Sequence, residues 1–180
     1  LPEDSRNIEY GNFLLCPGRL VRYKRVDAVI YAMQYLPEIR LKIVGEGPEE
    51  ENLKNLVMSL GLGNVEFIGV QESLSGYYKE CLAVVCMSKD EDFGIVARES
   101  FAWRKPVVAA FDGGGICEAV VDGVTGLLAK ATPEHLSEKI KLLYDVDRAR
   151  GLGQKGYEAV RQFDWIDHSI RLKEVINGLV

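Results

Sequence analysis

A parallel β-sheet covered by helices on both faces is the fold class this sequence predicts, and three observations predict it. Short runs that are almost wholly apolar recur along the chain, as expected of strands buried on both sides rather than on one. Segments of helical periodicity alternate with them. The length, 180 residues, suffices for one such core and is too short for two large ones.

The strands are expected at 12–17, 40–44, 65–68, 82–87, 106–110 and 126–129, each short and mostly apolar. Helices are expected between them near 26–35, 49–60, 73–81, 94–104, 115–121 and 133–144. The second of these shows the logic. Leu53, Leu56, Val57 and Leu60 recur at spacings of three and four and make one apolar stripe. Glu49, Glu50 and Glu51 favour the positive helix start, and Gly61 supplies the stop. After residue 130 no further strand is expected, and helices near 148–162 and 165–177 read as a helical appendix. Residues 1–11 begin with a polar, Pro-containing stretch and are read as a linker from a missing N-terminal domain, with 12–180 as the domain proper.

The totals narrow the function classes. A net charge of −5 gives no overall attraction to nucleic acid, so an anionic ligand must be held by local backbone N–H groups and a few cations. The longest apolar stretch, 81–87, falls far short of the ~20 residues that span a bilayer. Cys16, Cys81, Cys86 and Cys117 lack Cys-x2-Cys spacing, and only His135 and His168 could add imidazole, so no zinc site is expected. Mostly apolar surroundings for the cysteines fit a reducing, cytoplasmic setting, with peripheral membrane attachment through another domain as a compatible variant.

Chemistry concentrates in 88–99, Ser-Lys-Asp-Glu-Asp-Phe-Gly-Ile-Val-Ala-Arg-Glu, where a strand ends, an acidic loop follows and a helix begins near Gly94. Ligands of open α/β sheets sit at such strand ends. Helix-start N–H groups attract anions, and glycine admits them close to the main chain. A helix simply capped by Asp90 or Asp92 explains the same residues. Glu99 has Ile95, Ala102 and Trp103 as helical neighbours, so its carboxylate lies on a mainly apolar face and calls for a partner, ribose hydroxyls or a local arginine, unless it is simply exposed at the rim. The pattern Gly45-x-Gly47 lacks the third glycine of a dinucleotide fingerprint and is read as a turn. Gly113, Gly114 and Gly115 fit an anion nest or a plain turn equally.

Glu91-x7-Glu99 with an internal Phe93-Gly94, followed by Lys105-Pro-Val-Val, resembles the signature of glycosyltransferase family 4, which has the GT-B fold. Further blocks are similar to that family in order: Gly18-Arg-Leu with Lys24 and Asp27, Ile43-Val-Gly-Glu-Gly-Pro48, Phe67-Ile-Gly69, Gly113-Gly-Gly-x-x-Glu118 and Asp122-Gly-x-Thr-Gly-Leu-Leu128. The resemblance implies the donor-binding Rossmann-like half of a retaining enzyme. It implies that Gly18, Arg19 and Lys24 meet the donor diphosphate, and that backbone N–H groups at Gly94, Ile95 and Val96, beside Phe93, meet phosphate. Glu99 would bond the ribose, Glu91 would lie near the transferred sugar, and Val70 would meet the base. Two fixed cations would stabilise the leaving diphosphate, so no cofactor and no metal are implied. Taken as residues alone, Arg19 and Lys24 with Arg22 and Arg25 make an ordinary solvated basic run.

The implied donor is a nucleoside-diphosphate hexose, GDP-mannose first, with UDP- or ADP-sugars as alternatives, and the implied acceptor is lipid-linked or a polysaccharide. The sequence departs from the family at Met87-Ser88, where Pro-Ser is common, and at Asp92 and Arg104, where glycine is frequent. Those departures keep two other readings open: a non-catalytic nucleotide- or sugar-phosphate-binding module, and a GT-B epimerase or a starch or glycogen synthase relative.

Overall fold

The computed structural model describes residues 8–162. Six parallel strands, β1 (Phe13–Pro17), β2 (Arg40–Val44), β3 (Val65–Gly69), β4 (Ala83–Cys86), β5 (Val107–Ala110) and β6 (Gly126–Ala129), form one sheet in the order β3-β2-β1-β4-β5-β6. Every strand lies within one residue of its expected bounds. The helices are α1 (Val26–Ala32), α2 (Glu50–Ser59), α3 (Ser75–Glu80), α4 (Ile95–Ala102), α5 (Ile116–Ala119), α6 (Pro133–Lys141) and α7 (Val146–Val160).

Alternation along β1 explains why its sequence is apolar throughout. Leu14 and Cys16 enter the core layer shared with Val29 of α1, Leu53 of α2 and Leu136 of α6. Phe13 and Leu15 enter the opposite layer, with Tyr78 of α3, Phe101 of α4 and Ile116 of α5. The chain winds outward from β1 to β3 and then returns to place β4 on the other side of β1. The loops after β1 and β4 therefore leave in opposite directions, and a crevice opens at their carboxyl ends.

Three local differences from expectation have physical causes. The helix expected at 26–35 ends at Ala32 and tightens into a 3-10 turn, Met33–Tyr35, a common way of closing a helix. A second 3-10 turn, Arg22–Lys24, buries no side chain and so left no apolar periodicity to read. The stretch expected to be an appendix from Arg148 instead begins at Val146, where Asp145 accepts hydrogen bonds from the N–H groups of Asp147 and Arg148, and packs into the domain. Gly153 and Gly156 make that packing possible. A Cβ at Gly153 would lie 1.9 Å from Arg104 O, and one at Gly156 would lie 2.3 Å from the Phe101 ring. The helix expected at 165–177, with His168, lies outside the described residues. His135 accepts a hydrogen bond from Lys130 N–H through Nδ1.

The amino-terminal edge of the sheet is closed by a compact cluster. Lys105 is fully buried, donates to Glu9 O and stands 4.1 Å from the Tyr10 ring centroid. The Tyr10 hydroxyl donates to Arg104 O at 2.7 Å. Burial brings the Lys105 ammonium down to about 8 and pushes the Tyr10 phenol up to about 12. The N–H groups of Glu9 and Gly11 bond to the carbonyls of Lys79 and Glu80, which fixes this part of the expected linker to the domain.

Candidate functional site

At the opposite, carboxyl edge, the turn after β1 is built by glycines of a neighbouring loop. A Cβ at Gly45 would lie 2.0 Å from Gly18 O, and one at Gly47 would lie 2.3 Å from Leu20 O. Gly18 N–H and Leu20 N–H bond back to Val44 O and Glu46 O. The Gly45-x-Gly47 pattern thus serves backbone packing, and what it supports is the turn carrying Arg19. The Arg19 side chain is exposed and makes no hydrogen bond or ion pair among the described residues.

The acidic loop after β4 is held from below by the second glycine cluster. Glu91 N–H donates to Gly113 O at 2.8 Å, and Gly115 N–H donates to Glu91 O at 2.6 Å. A Cβ at Gly115 would lie 2.0 Å from Asp92 O, and one at Gly114 would lie 2.9 Å from Glu91 O. Of the two roles open to this triplet, close packing of two loops accounts for all three glycines. Gly94 caps α4 with a left-handed φ of 58°, and a Cβ there would lie 2.8 Å from Ile116 Cα. The first helical N–H to reach Gly94 O is that of Ala97, so the N–H groups of Ile95 and Val96 precede the helical ladder. Phe93 and Ile95 present large apolar side chains to solvent beside them.

These two loops meet. Lys24 Nζ lies 2.5 Å from Glu91 Oε2, although 67 residues separate them in sequence. Burial pushes the Glu91 carboxyl up, but hydrogen bonds from Lys24 and Ser88 and the Lys24 charge outweigh it, and the net shift is downward. Lys89 N–H donates to Tyr23 O at 2.8 Å across the same seam. Gly18, Arg19, Lys24, Met87 and Ser88 line the crevice between β1 and β4, and Tyr23, Asp90, Glu91 and Asp92 line a recess beside it.

Glu99, one turn into α4, is exposed, and its partner is neither a cation nor a member of the basic run. Buried Tyr78 of α3 donates to Glu99 Oε2 at 2.9 Å. Burial and the adjacent carboxylate both raise the Tyr78 phenol, so the hydroxyl stays a donor. Val70 is exposed at the carboxyl end of β3, just after Gly69, whose φ is 75°. It lies on the same edge as the crevice, but β2 stands between its strand and β1.

Two organising residues escaped the sequence reading. Tyr78 could have been noticed only as a polar-tipped residue on the apolar stripe of a short helix. Arg25 was counted merely as part of a basic run, yet its Nε donates to Met87 O at 2.7 Å and its two terminal nitrogens donate to Asp112 at 3.0 and 2.6 Å. The Arg25 guanidinium holds the Asp112 carboxyl below the usual range. Of the departures from the family pattern, Arg104 adopts a left-handed φ of 52°, where glycine would be unstrained, and its guanidinium rests 3.9 Å from the Tyr157 ring centroid.

A doubly wound parallel sheet with an exposed cation and a Lys–Glu pair at the carboxyl ends of its strands defines a Rossmann-like domain. Residues 2–159 match the family described as "Glycosyl transferases group 1", and the chain belongs to that family. It is 35% identical over 158 residues to an uncharacterised glycosyltransferase of Methanocaldococcus jannaschii, covering 86% of this chain and 44% of that protein. It is 32% identical over 182 residues to the GDP-mannose-dependent α-(1-6)-phosphatidylinositol monomannoside mannosyltransferase of Mycolicibacterium smegmatis, covering 92% of this chain and 47% of that one. The chain therefore spans under half the length of these relatives.

Among solved structures it is similar to Anabaena HepE in complex with UDP and glucose, with a TM-score of 0.86 at 25% identity, covering 97% of this chain and 49% of that one. It is also similar to sucrose-phosphate synthase of Thermosynechococcus elongatus, with a TM-score of 0.84 at 30% identity, covering 99% of this chain and 46% of that one. The fold is that of the C-terminal domain of a GT-B, family 4-like glycosyltransferase. Among the described residues no helix is long and apolar enough to cross a membrane.

Proposed function

We propose that this domain holds the donor of a retaining hexosyltransferase, a nucleoside-diphosphate sugar, and that it acts on a lipid-linked or polysaccharide acceptor bound by another domain. One observation carries the reading: Lys24, which lines the crevice with Arg19, reaches across the switch point to pair with Glu91 on the loop that leads into α4. In this proposal Arg19 and Lys24 take the diphosphate, joined by the backbone N–H groups of Ile95 and Val96, which precede the helical ladder of α4. Fixed cations at that position stabilise the negative charge that grows on the leaving diphosphate, with no metal or cofactor needed for it.

Binding would release Glu91 from Lys24, because phosphate oxygens compete for the same ammonium. The freed carboxylate then lies beside the sugar, where it can stabilise positive charge on the ring or orient its hydroxyls. Glu99, with one oxygen taken by Tyr78, keeps its other oxygen for the ribose. Val70 and Phe93 supply exposed apolar surface, Val70 for the base. GDP-mannose is the leading donor, supported by the mycobacterial relative's dependence on it. A UDP-sugar is the second reading, supported by the UDP held in the Anabaena neighbour.

Calorimetric titration of GDP, UDP and ADP and their mannose or glucose conjugates tests this, repeated with Arg19→Ala and Glu99→Ala. Specific binding of one nucleotide class that weakens in both variants is the expected result. Unchanged affinity in both would remove the site.

A further inference from the structure

Among the described residues only three non-glycines adopt a left-handed backbone: Arg25 at φ 48°, Asp90 at 54° and Arg104 at 52°. Such a conformation is strained for an L-residue and persists where surrounding contacts over-determine it. Two of the three converge on one residue. The Asp112 carboxylate takes both terminal nitrogens of Arg25, and Asp112 O accepts the Asp90 N–H at 3.3 Å. The next carbonyl, that of Gly113, accepts the Glu91 N–H. A two-residue segment after β5 thus grips both the turn that ends in Lys24 and the loop that bears Glu91.

Stability alone does not account for this arrangement. The Asp112 side chain is 51% exposed, so solvent screens the ion pair, and the strain of the left-handed turn at Arg25 offsets what the pair contributes. What the three hydrogen bonds of Arg25 do achieve is geometric. They tie the residue after Lys24 to Met87 O at the end of β4 and to Asp112 beyond β5, across the crevice.

We propose that Arg25 and Asp112 form a clamp that positions Lys24 for the donor diphosphate, so that Arg25 is a positioning residue of the site rather than a surface cation. The proposal rests on the donor-site reading for its ligand but not for its geometry. The planar guanidinium matters because it serves a carboxylate with two nitrogens and a carbonyl with the third, which an ammonium does not reproduce.

The test uses the 180-residue chain with Arg25→Gly, Arg25→Lys and Asp112→Asn. Glycine accepts φ 48° without strain, so Arg25→Gly removes the clamp while easing the backbone. Two quantities are measured: the titration of the Glu91 carboxyl by NMR, and the affinity for UDP or GDP, whichever the wild-type chain binds more tightly. With the clamp gone, Lys24 leaves Glu91 and the carboxyl titration moves up from its lowered position, while nucleotide affinity falls about tenfold. Asp112→Asn is expected to move both in the same direction, and Arg25→Lys to recover them in part.

A Glu91 titration and nucleotide affinity unchanged in both Arg25→Gly and Asp112→Asn would overturn the clamp. A wild-type chain that binds neither nucleotide removes the donor reading instead, and the clamp then stands or falls on the Glu91 titration.

Discussion

Two lysines at opposite edges of the sheet show how one residue type is made into a tool at one place and a fastening at the other. Lys24, at the carboxyl edge, is partly exposed and pairs with Glu91, the carboxylate that the proposed diphosphate would displace. Lys105, at the amino edge, is fully buried against the Tyr10 ring and donates to the main-chain carbonyl of Glu9. Availability to a ligand follows from the exchangeability of the partner, not from the charge. The glycines tell the same story in the backbone: at the carboxyl edge they bring loops together around the crevice, and at Gly153 and Gly156 they seat a helix.

The largest effect that would break this contrast is at Lys24. Lys24→Met should weaken nucleoside-diphosphate binding by roughly a hundredfold, the loss of one charge-assisted contact to phosphate, with a smaller loss of Tm from the Lys24–Glu91 pair, whose side chains are 14% and 20% exposed. Calorimetry alongside thermal melts measures both. A large Tm loss with affinity intact would assign Lys24 to stability and erase the distinction.

Lys105→Met should do the reverse, leaving affinity unchanged and altering the dependence of stability on pH. The Lys105 ammonium releases its proton near 8 in the folded chain, against 10.5 for an ordinary lysine. Between those values the unfolded chain holds more protons, so this residue makes stability rise with pH, and its penalty is fully present below about 8. Cys16, Cys81 and Tyr10, all pushed up to about 12 by burial, act with the opposite sign as their unfolded values are passed, from about 9 upward for the thiols. Melting curves between pH 7 and 9 should therefore slope upward in the wild type and flatten in Lys105→Met. An unaltered slope would show that the buried amine is not the source.

A smaller effect sharpens the role of the acid on α4. Tyr78→Phe keeps the buried ring and removes the hydroxyl, freeing Glu99 Oε2. Discrimination between a ribonucleoside diphosphate and its 2′-deoxy analogue should fall about threefold to tenfold, a hydrogen bond's worth. Equal discrimination in both proteins would mean that Glu99 needs no orienting partner. The smallest change is expected for Arg104→Gly. Relief of a left-handed arginine and loss of its contact with the Tyr157 ring are each about 1 kcal/mol and oppose one another, so Tm should move by only a few degrees.

Much of the architecture was legible because burial on both faces leaves a local trace. The runs at 40–44 and 126–129 coincide with β2 and β6 end for end: 126–129 carries no polar side chain, and in 40–44 Leu41, Ile43 and Val44 are buried while Arg40 is exposed and Lys42 half-buried. The Arg22–Lys24 turn left no such trace, because none of its side chains is buried. In the candidate site, Glu91, Gly94 and Glu99 were readable as candidates from one contiguous segment, and Arg19 and Lys24 only through the family resemblance. Tyr78 and Arg25 were not, because what gives them meaning is a partner 21 and 62 or more residues away.

By itself, then, the sequence determined the alternation of strands and helices, the two-layered core and the residue types available at each strand end, all of which are properties of neighbours along the chain. Only the tertiary structure decided that Lys24 meets Glu91, that Tyr78 and not an arginine holds Glu99, and that the glycine triplet packs beneath the acidic loop. The reason is physical: periodicity is imposed by local geometry, whereas pairing between loops depends on the strand order, and reversing that order at β1 is what brings distant segments to one crevice.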